Sequence, residues 1–309
     1  MNPRTLRQLA FALFGLVVVW IGLSALGRAR RDTEGHMTMP RFDPRTVDQA
    51  VLAKGSDTLR FTRSPDGWRV NGWRADESLV QSLIGSLADS SGATELVAQD
   101  AVAHAELGLD SADARRLTLL AGGHPVADMV VGNMGTYGSV YVMRPGHKAA
   151  YQLTGALGDL VTKPLDGWRD RTIAKVPPDS VVEVDVRRGR KSYTLTRGKG
   201  GWRLENGAAD SAAVSRLLDG AQALYADGFP SAAQTDSLRR VHPVRTVRLL
   251  GVGHRSLLAL SVDSIGSNSL WAQREGDSTI YQLLDFKVQQ LTPADSALKP
   301  RVPKAPKPK

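Results

Sequence analysis

The 309-residue chain contains no cysteine, and aromatic residues make up only 6% of it. The first absence excludes disulfides, thiol nucleophiles and thiolate metal sites within this chain. Acidic residues are missing from both ends. Residues 1–31 carry Arg4, Arg7, Arg28, Arg30 and Arg31, residues 299–309 carry Lys299, Arg301, Lys304, Lys307 and Lys309, and neither stretch holds an Asp or Glu. The net charge of +9 therefore resides in the ends, because residues 32–298 hold 30 basic against 31 acidic side chains. A neutral body argues against nucleic-acid binding, and no nucleic-acid partner is expected.

Chemistry-bearing motifs are equally scarce. The six histidines (His36, His104, His124, His147, His242 and His254) show no H-E-x-x-H spacing, and neither a G-x-S-x-G elbow nor a Walker loop is present. Gly251-Val252-Gly253 follows a strand-like run but lacks the third glycine and the helix of a dinucleotide turn. No catalytic, cofactor-binding or metal-ligating residue is assigned, and the expectation is a protein that is not an enzyme. A hydrolase would need a carboxylate or histidine cluster assembled only by folding.

One long apolar run is present. Residues 9–27, LAFALFGLVVVWIGLSALG, are nineteen positions without a charge. At 1.5 Å per residue a helix of this length spans about 28 Å, close to the roughly 30 Å of a bilayer's hydrocarbon core. Trp20 and the flanking arginines suit interfacial anchors. The expectation is a single-pass anchor in the cell (inner) membrane, with residues 1–8 cytoplasmic and the body outside the cytoplasm. Two other readings stay open: a cleaved signal peptide ending near Ala25 and Gly27, and a buried helix.

The body is written twice. At an offset of 134, Phe61-Thr62-Arg63 matches Leu195-Thr196-Arg197, and Gly67-Trp68-Arg69-Val70 matches Gly201-Trp202-Arg203-Leu204. At an offset of 130, LTLLAGGH (117–124) matches VRLLGVGH (247–254), and SVYVMRPGHKAAYQL (139–153) matches SLWAQREGDSTIYQL (269–283). Windows in one order with one small deletion between them mean a tandem duplication.

In each copy alternating apolar residues flank a Gly-containing turn, which reads as a hairpin. Asp76 and Asp210 then stand as N-caps before helical stripes: Leu79, Val80, Leu83, Ile84 and Leu87, and Val214, Leu217, Leu218 and Ala221. After a connecting segment (91–114), strands are predicted at 116–121, 125–131, 138–143 and 149–153, closed by a short helix over 155–161. The expected fold class is α+β: two tandem β-β-α plus antiparallel-meander units behind an N-terminal transmembrane helix. The domains are a charged linker at 28–45, repeat 1 at 46–164, a joint at 165–180, repeat 2 at 181–296, and a Pro/Lys-rich disordered tail at 297–309.

Among candidate sites, Trp68 and Trp202 read as core, with sugar or base stacking the alternative. His124 and His254 read as polar hairpin residues. Gly132, Gly135 and Gly138 read as hairpin glycines at positive φ, with a phosphate-wrapping loop the alternative. Trp168, Arg169, Asp170 and Arg171, the most charged spot of the joint, are the candidate partner-docking residues, with a solvated turn as the alternative.

The order of these motifs carries a resemblance. A helical stripe after Gly-Trp-Arg comes first, then Leu107-Gly108-Leu109-Asp110, a Gly-rich meander, Tyr151-Gln152-Leu153, and Asp166-Gly167-Trp168-Arg169-Asp170-Arg171. This resembles the bacterial domain-of-unknown-function family numbered 4340, over roughly residues 45–295. In the second copy Val241-His242-Pro243 replaces the Gly-Leu-Asp element. The resemblance implies membrane-anchored envelope proteins with repeated domains, often found with ABC-transporter permeases and gliding-motility auxiliary subunits, and it implies no catalytic residues. Two functions are expected: an accessory or scaffold of an ABC-type transport complex, from the anchor, the duplication without a catalytic constellation and this resemblance, or, because two equivalent units can form a cleft between them, a module binding an envelope glycan or lipid there. The expected partners are the bilayer, through residues 9–27, and an ABC permease complex; the oligomeric state is left open.

Overall fold

The computed structural model describes residues 35–88, 94–110, 113–205, 207–238, 242–264 and 270–300. The chain divides into two compact units, the first ending at Asp170 and the second beginning at Arg171.

In unit 1, β1 (Gln49–Lys54), β2 (Asp57–Ser64), β3 (Gly67–Val70) and β4 (Trp73–Arg74) precede α1 (Glu77–Ala88). Then come β5 (Thr94–Ala98), β6 (Arg115–Ala121), β7 (His124–Met134), β8 (Ser139–Met143) and β9 (Ala150–Thr154), followed by α2 (Leu157–Val161) and α3 (Leu165–Trp168). The strands form one sheet in the order β4-β3-β2-β1-β6-β7-β8-β9-β5, and each neighbouring pair is antiparallel.

Unit 2 begins with β10 (Thr172–Ala174), then β11 (Glu183–Arg188), β12 (Lys191–Gly198), β13 (Gly201–Leu204), β14 (Gly207–Ala208) and α4 (Ser211–Gln222). It continues with β15 (Leu224–Tyr225), α5 (Ala232–Leu238), β16 (Arg245–Leu250), β17 (Ser256–Ser264), β18 (Leu270–Arg274), β19 (Ile280–Leu283) and α6 (Asp285–Leu291). Its main sheet has the order β14-β13-β12-β11-β16-β17-β18-β19, with β10-β15 as a separate ribbon. This is the strand order of unit 1, strand for strand. The ninth position, held by β5 in unit 1, shrinks to one bridge between Gly228 and Gln282 in unit 2.

The α+β expectation is corrected by this architecture: the fold is predominantly antiparallel β. Nineteen strands stand against six α-helices among the described residues, and none of those helices exceeds 12 residues. The helical stripes are real, but each copy contains one such helix lying on a sheet of eight or nine strands. Strands β1 and β11 had no place in the β-β-α reading, although each sits at the centre of its sheet. Residues 9–27, expected to be a transmembrane helix, lie outside the described residues. Among the described residues no helix is long and apolar enough to cross a membrane.

Alternation explains the one-sided core. In unit 1 Ala50, Leu52, Phe61, Leu117, Leu119, Met129 and Val142 point to one face and are buried with Val80, Leu83, Ile84 and Leu87 of α1. In unit 2 Val184, Val186, Leu195, Val247, Leu249 and Leu260 bury against Val214, Leu217 and Leu218 of α4. The caps act as expected from sequence. Asp76 Oδ1 accepts the backbone N–H groups of Ser78 and Leu79 at 3.0 and 3.3 Å, and Asp210 Oδ1 that of Ala213 at 2.9 Å. The hairpin glycines Gly67 and Gly201 take φ values of 114° and 107°, as the turn requires.

Three stretches read as connectors are structural. Met37 and Met39, in the segment read as a linker, are buried in the core of unit 1. Of the three meander glycines only Gly138 has positive φ, at 72°. Gly132 is glycine for another reason: a Cβ there would stand 2.3 Å from the Leu107 carbonyl oxygen.

The third stretch is the end of the first copy. Trp168 is fully buried and meets Phe61 edge-on, with ring centroids 4.9 Å apart. Its carbonyl accepts the N–H of Asp76 at 2.8 Å, and in unit 2 the carbonyl of the fully buried Leu298 accepts the N–H of Asp210 at the same distance. Trp168→Ala should therefore destabilise unit 1 by about 3–5 kcal/mol, the usual cost of emptying a large aromatic site. Chemical denaturation followed by circular dichroism measures it; a loss below about 1 kcal/mol would show that Trp168 does not close the core.

Candidate functional site

The incoming chain runs along the outer edge of β5. The N–H of Leu96 donates to the Gly35 carbonyl at 3.0 Å, and the N–H of Met37 to Thr94 Oγ1 at 2.9 Å. His36 Nδ1 bonds the Thr94 carbonyl. A carbonyl oxygen can only accept, so Nδ1 carries the proton and Nε2 is left for other partners. Facing this segment is the turn after β8, where the Arg144 guanidinium donates to the Thr38 carbonyl.

Between segment and turn lies a cleft of about 500 Å³, its polar lining supplied by His36, Gln99, Arg144, His147 and Tyr151, with Met37, Leu96 and Ala149 as apolar lining. Among the described residues no carboxylate lines it. Arg144 is half-buried and, among the described residues, has no ion-pair partner. The cleft is thus a cationic, donor-rich pocket with a small apolar floor, suited to an anion rather than a metal ion.

Each sheet also has a face turned away from its core. In unit 1 Val51, Thr118, Asp128 and Tyr141 lie half-exposed there, and Arg116 pairs with Asp128 at 2.5 Å, which holds the guanidinium above its ordinary pKa. One end of the face is crossed by residues 101–109, where the Leu107 carbonyl accepts the N–H of Asn133 at 2.9 Å. In unit 2 α5 crosses the corresponding end, burying Leu238 with Trp271 and Ile280. The uncovered part of that face holds a groove of about 490 Å³ lined by Thr246, Arg248, Ser261, Gln273 and Glu275.

The four joint residues do not form one surface. Trp168 and Arg169 are buried, Asp170 is half-buried and Arg171 is exposed. Arg169 lies 4.1 Å from the ring centre of Trp73 and 3.2 Å from Asp166, and Asp170 pairs with Arg74 at 3.0 Å. These charges are compensated inside unit 1. Of the two repeated tryptophans, Trp68 is buried, whereas Trp202 is half-buried with the Arg197 guanidinium 5.0 Å above its ring. His124 opens β7, while His254 sits at φ 56° with Nδ1 3.6 Å from Glu183, so the two equivalent histidines serve different turns. Among the described residues no group of three or more His, Cys, Asp or Glu side chains could hold a metal ion.

The cleft residues were invisible as a group in the sequence, since His36 and Arg144 are far apart along the chain. The one available signal was that Arg144 and Tyr151 lie in a duplicated window whose second copy has Asp277 in place of His147.

A family model described as "Domain of unknown function (DUF4340)" matches residues 68–243, more than half of the chain. The chain belongs to this family. The DUF4340 match runs from Trp68 in the first hairpin to Pro243, just before β16, and so includes parts of both units. No curated protein and no solved structure matches the chain.

Asp263, on the outward face of β17, supplies a pH test of this region. Burial raises its carboxyl above the ordinary value of 3.8, opposed by a hydrogen bond from the Val244 N–H at 3.2 Å. A folded-state pKa above the unfolded one means that ionisation costs stability. The loss begins as pH rises past about 3.8 and is complete above the raised folded value. Asp263→Asn removes the charge and keeps an acceptor, so its denaturation midpoint should exceed that of the parent at pH 7 and converge with it near pH 3. A lower midpoint at pH 7 would show that the carboxylate is net stabilising.

Proposed function

We propose that this chain is a non-enzymatic, membrane-tethered accessory or scaffold protein of the cell envelope that serves an ABC-type transport complex. The observation that carries the reading is the repeated one-sided sheet. Two units of one strand order each bury one face under a helix and leave much of the other face polar and half-exposed. A duplicated platform offers two docking faces to one assembly, and the apolar run at residues 9–27 would hold them beside a membrane component. Trp168 and Arg169, being buried, support the core of unit 1; docking falls instead to the open faces.

A second reading, favoured by the cleft at Arg144, is a ligand-binding module. Clefts of this size that combine an apolar floor with a few convergent polar groups are common ligand sites.

Co-purification tests the first reading. The full-length, C-terminally tagged protein, extracted from native membranes in mild detergent, should bring down an ABC permease or its ATPase, identified by mass spectrometry. Arg203→Glu together with Arg248→Glu, on the open face of unit 2, should reduce that recovery while leaving the melting temperature unchanged. Recovery of the protein alone, with residues 9–27 intact, would refute the accessory role.

A further inference from the structure

The Arg144–Tyr151 corner of unit 1 recurs as Arg274–Tyr281 in unit 2, with His147 standing where unit 2 has Asp277. Both arginines hold the incoming chain, Arg144 by the Thr38 carbonyl and Arg274 by the Ile173 carbonyl at 3.2 Å. In unit 2 the carboxylate completes the corner: Asp277 Oδ1 accepts the N–H of Thr279 at 2.8 Å, and Oδ2 accepts the hydroxyl of Tyr281 at 2.7 Å. In unit 1 the position holds an imidazole. Tyr151, the counterpart of Tyr281, has no hydrogen-bonded acceptor for its hydroxyl among the described residues, and it lines the cleft.

We infer that the cleft of unit 1 binds an oxyanion of the phosphate-ester class, its oxygens taking the place that the Asp277 carboxylate takes in unit 2. The donors are the N–H groups of Arg144 that Thr38 does not use, the imidazole of His147 and the hydroxyl of Tyr151. A guanidinium and a phosphate match in both charge and geometry. The volume of about 500 Å³ exceeds the needs of a bare phosphate, and Met37, Leu96 and Ala149 supply apolar contact for an attached organic group.

The position of the cleft selects among phosphate esters. Its wall at His36–Thr38 begins nine residues beyond Gly27, the last residue of the apolar run. The intervening chain, residues 28–35, reaches at most about 29 Å when extended. A bilayer that holds residues 9–27 therefore keeps the cleft near its surface, and Arg28, Arg30 and Arg31 add positive charge there against Asp32 and Glu34. The ligand is the headgroup of an anionic phospholipid, a reading that rests on the membrane tether proposed above.

The test uses full-length protein in a neutral detergent, titrated calorimetrically with dihexanoyl phosphatidylglycerol, dihexanoyl phosphatidylcholine and glycerol 3-phosphate. The parent should bind the phosphatidylglycerol and not the phosphatidylcholine. Arg144→Gln should weaken that binding roughly tenfold or more, the scale of a lost charge-assisted hydrogen bond. His147→Asp should abolish binding with an unchanged or raised melting temperature, because it installs the internal carboxylate that unit 2 already has. Undiminished phosphatidylglycerol binding by His147→Asp would overturn the site, as would no binding of either anionic probe by the parent. Binding of glycerol 3-phosphate without the lipid would overturn the lipid source and leave a site for soluble phosphate esters. Membrane fractionation of the same protein reads the tether separately: a membrane-bound protein that binds no probe counts against the cleft, and a protein found in the soluble fraction counts against the tether.

Discussion

A single-layer antiparallel sheet has one apolar face, and in each unit the last deeply buried side chain of the copy, Trp168 or Leu298, helps to close it. The closure is tied to the helix by the backbone. The carbonyl of that closing residue accepts the N–H of the aspartate that caps α1 or α4. One short contact thus joins the cap, the covering helix and the end of the copy, and in unit 1 also β2 through Phe61. The charged residues beside Trp168 follow from this demand. Arg169 is carried inward with the tryptophan, and Trp73 and Asp166 give it the compensation that a buried guanidinium needs.

Register supplies the second constraint. Strands β1 and β11 are paired along all six residues on both sides, to β2 and β6 and to β12 and β16. Because side chains alternate, a slip of one residue would turn Ala50 and Leu52, or Val184 and Val186, out of the core. The outward face is consequently free to vary, and it does: Arg116 with Asp128 in unit 1 gives way to Thr246 and Ala259 in unit 2 within an unchanged frame.

Legibility in the sequence followed locality. The hairpins at Gly67 and Gly201, the caps Asp76 and Asp210, the helical stripes and the later meander strands were readable because each depends on neighbours in the chain. Strand β1 was not. Its residues, QAVLAK, lack β-branched and aromatic weight, and only pairing on both sides makes them a strand. Trp168 carried a misleading cue, since a tryptophan amid four charges in a joint looks like surface. Its burial depends on Phe61, more than a hundred residues earlier. The family's motif order was legible for the same reason as the hairpins, because it is a string of local features.

The candidate cleft was illegible for a stronger reason: it is defined by a difference between two copies of one design. Duplication fixes the corner's geometry in both units, with an arginine holding the incoming chain and a tyrosine at the end of the turn. Unit 2 satisfies that geometry internally, by Asp277. Unit 1 has the same donors with an imidazole in the acceptor's place, so a half-buried guanidinium and a phenol face a space that no carboxylate lines among the described residues. The exchange of an internal acceptor for an open cleft occurs in the unit next to the apolar run. A ligand's oxygens there would complete the same set of bonds that the fold completes by itself in the other copy.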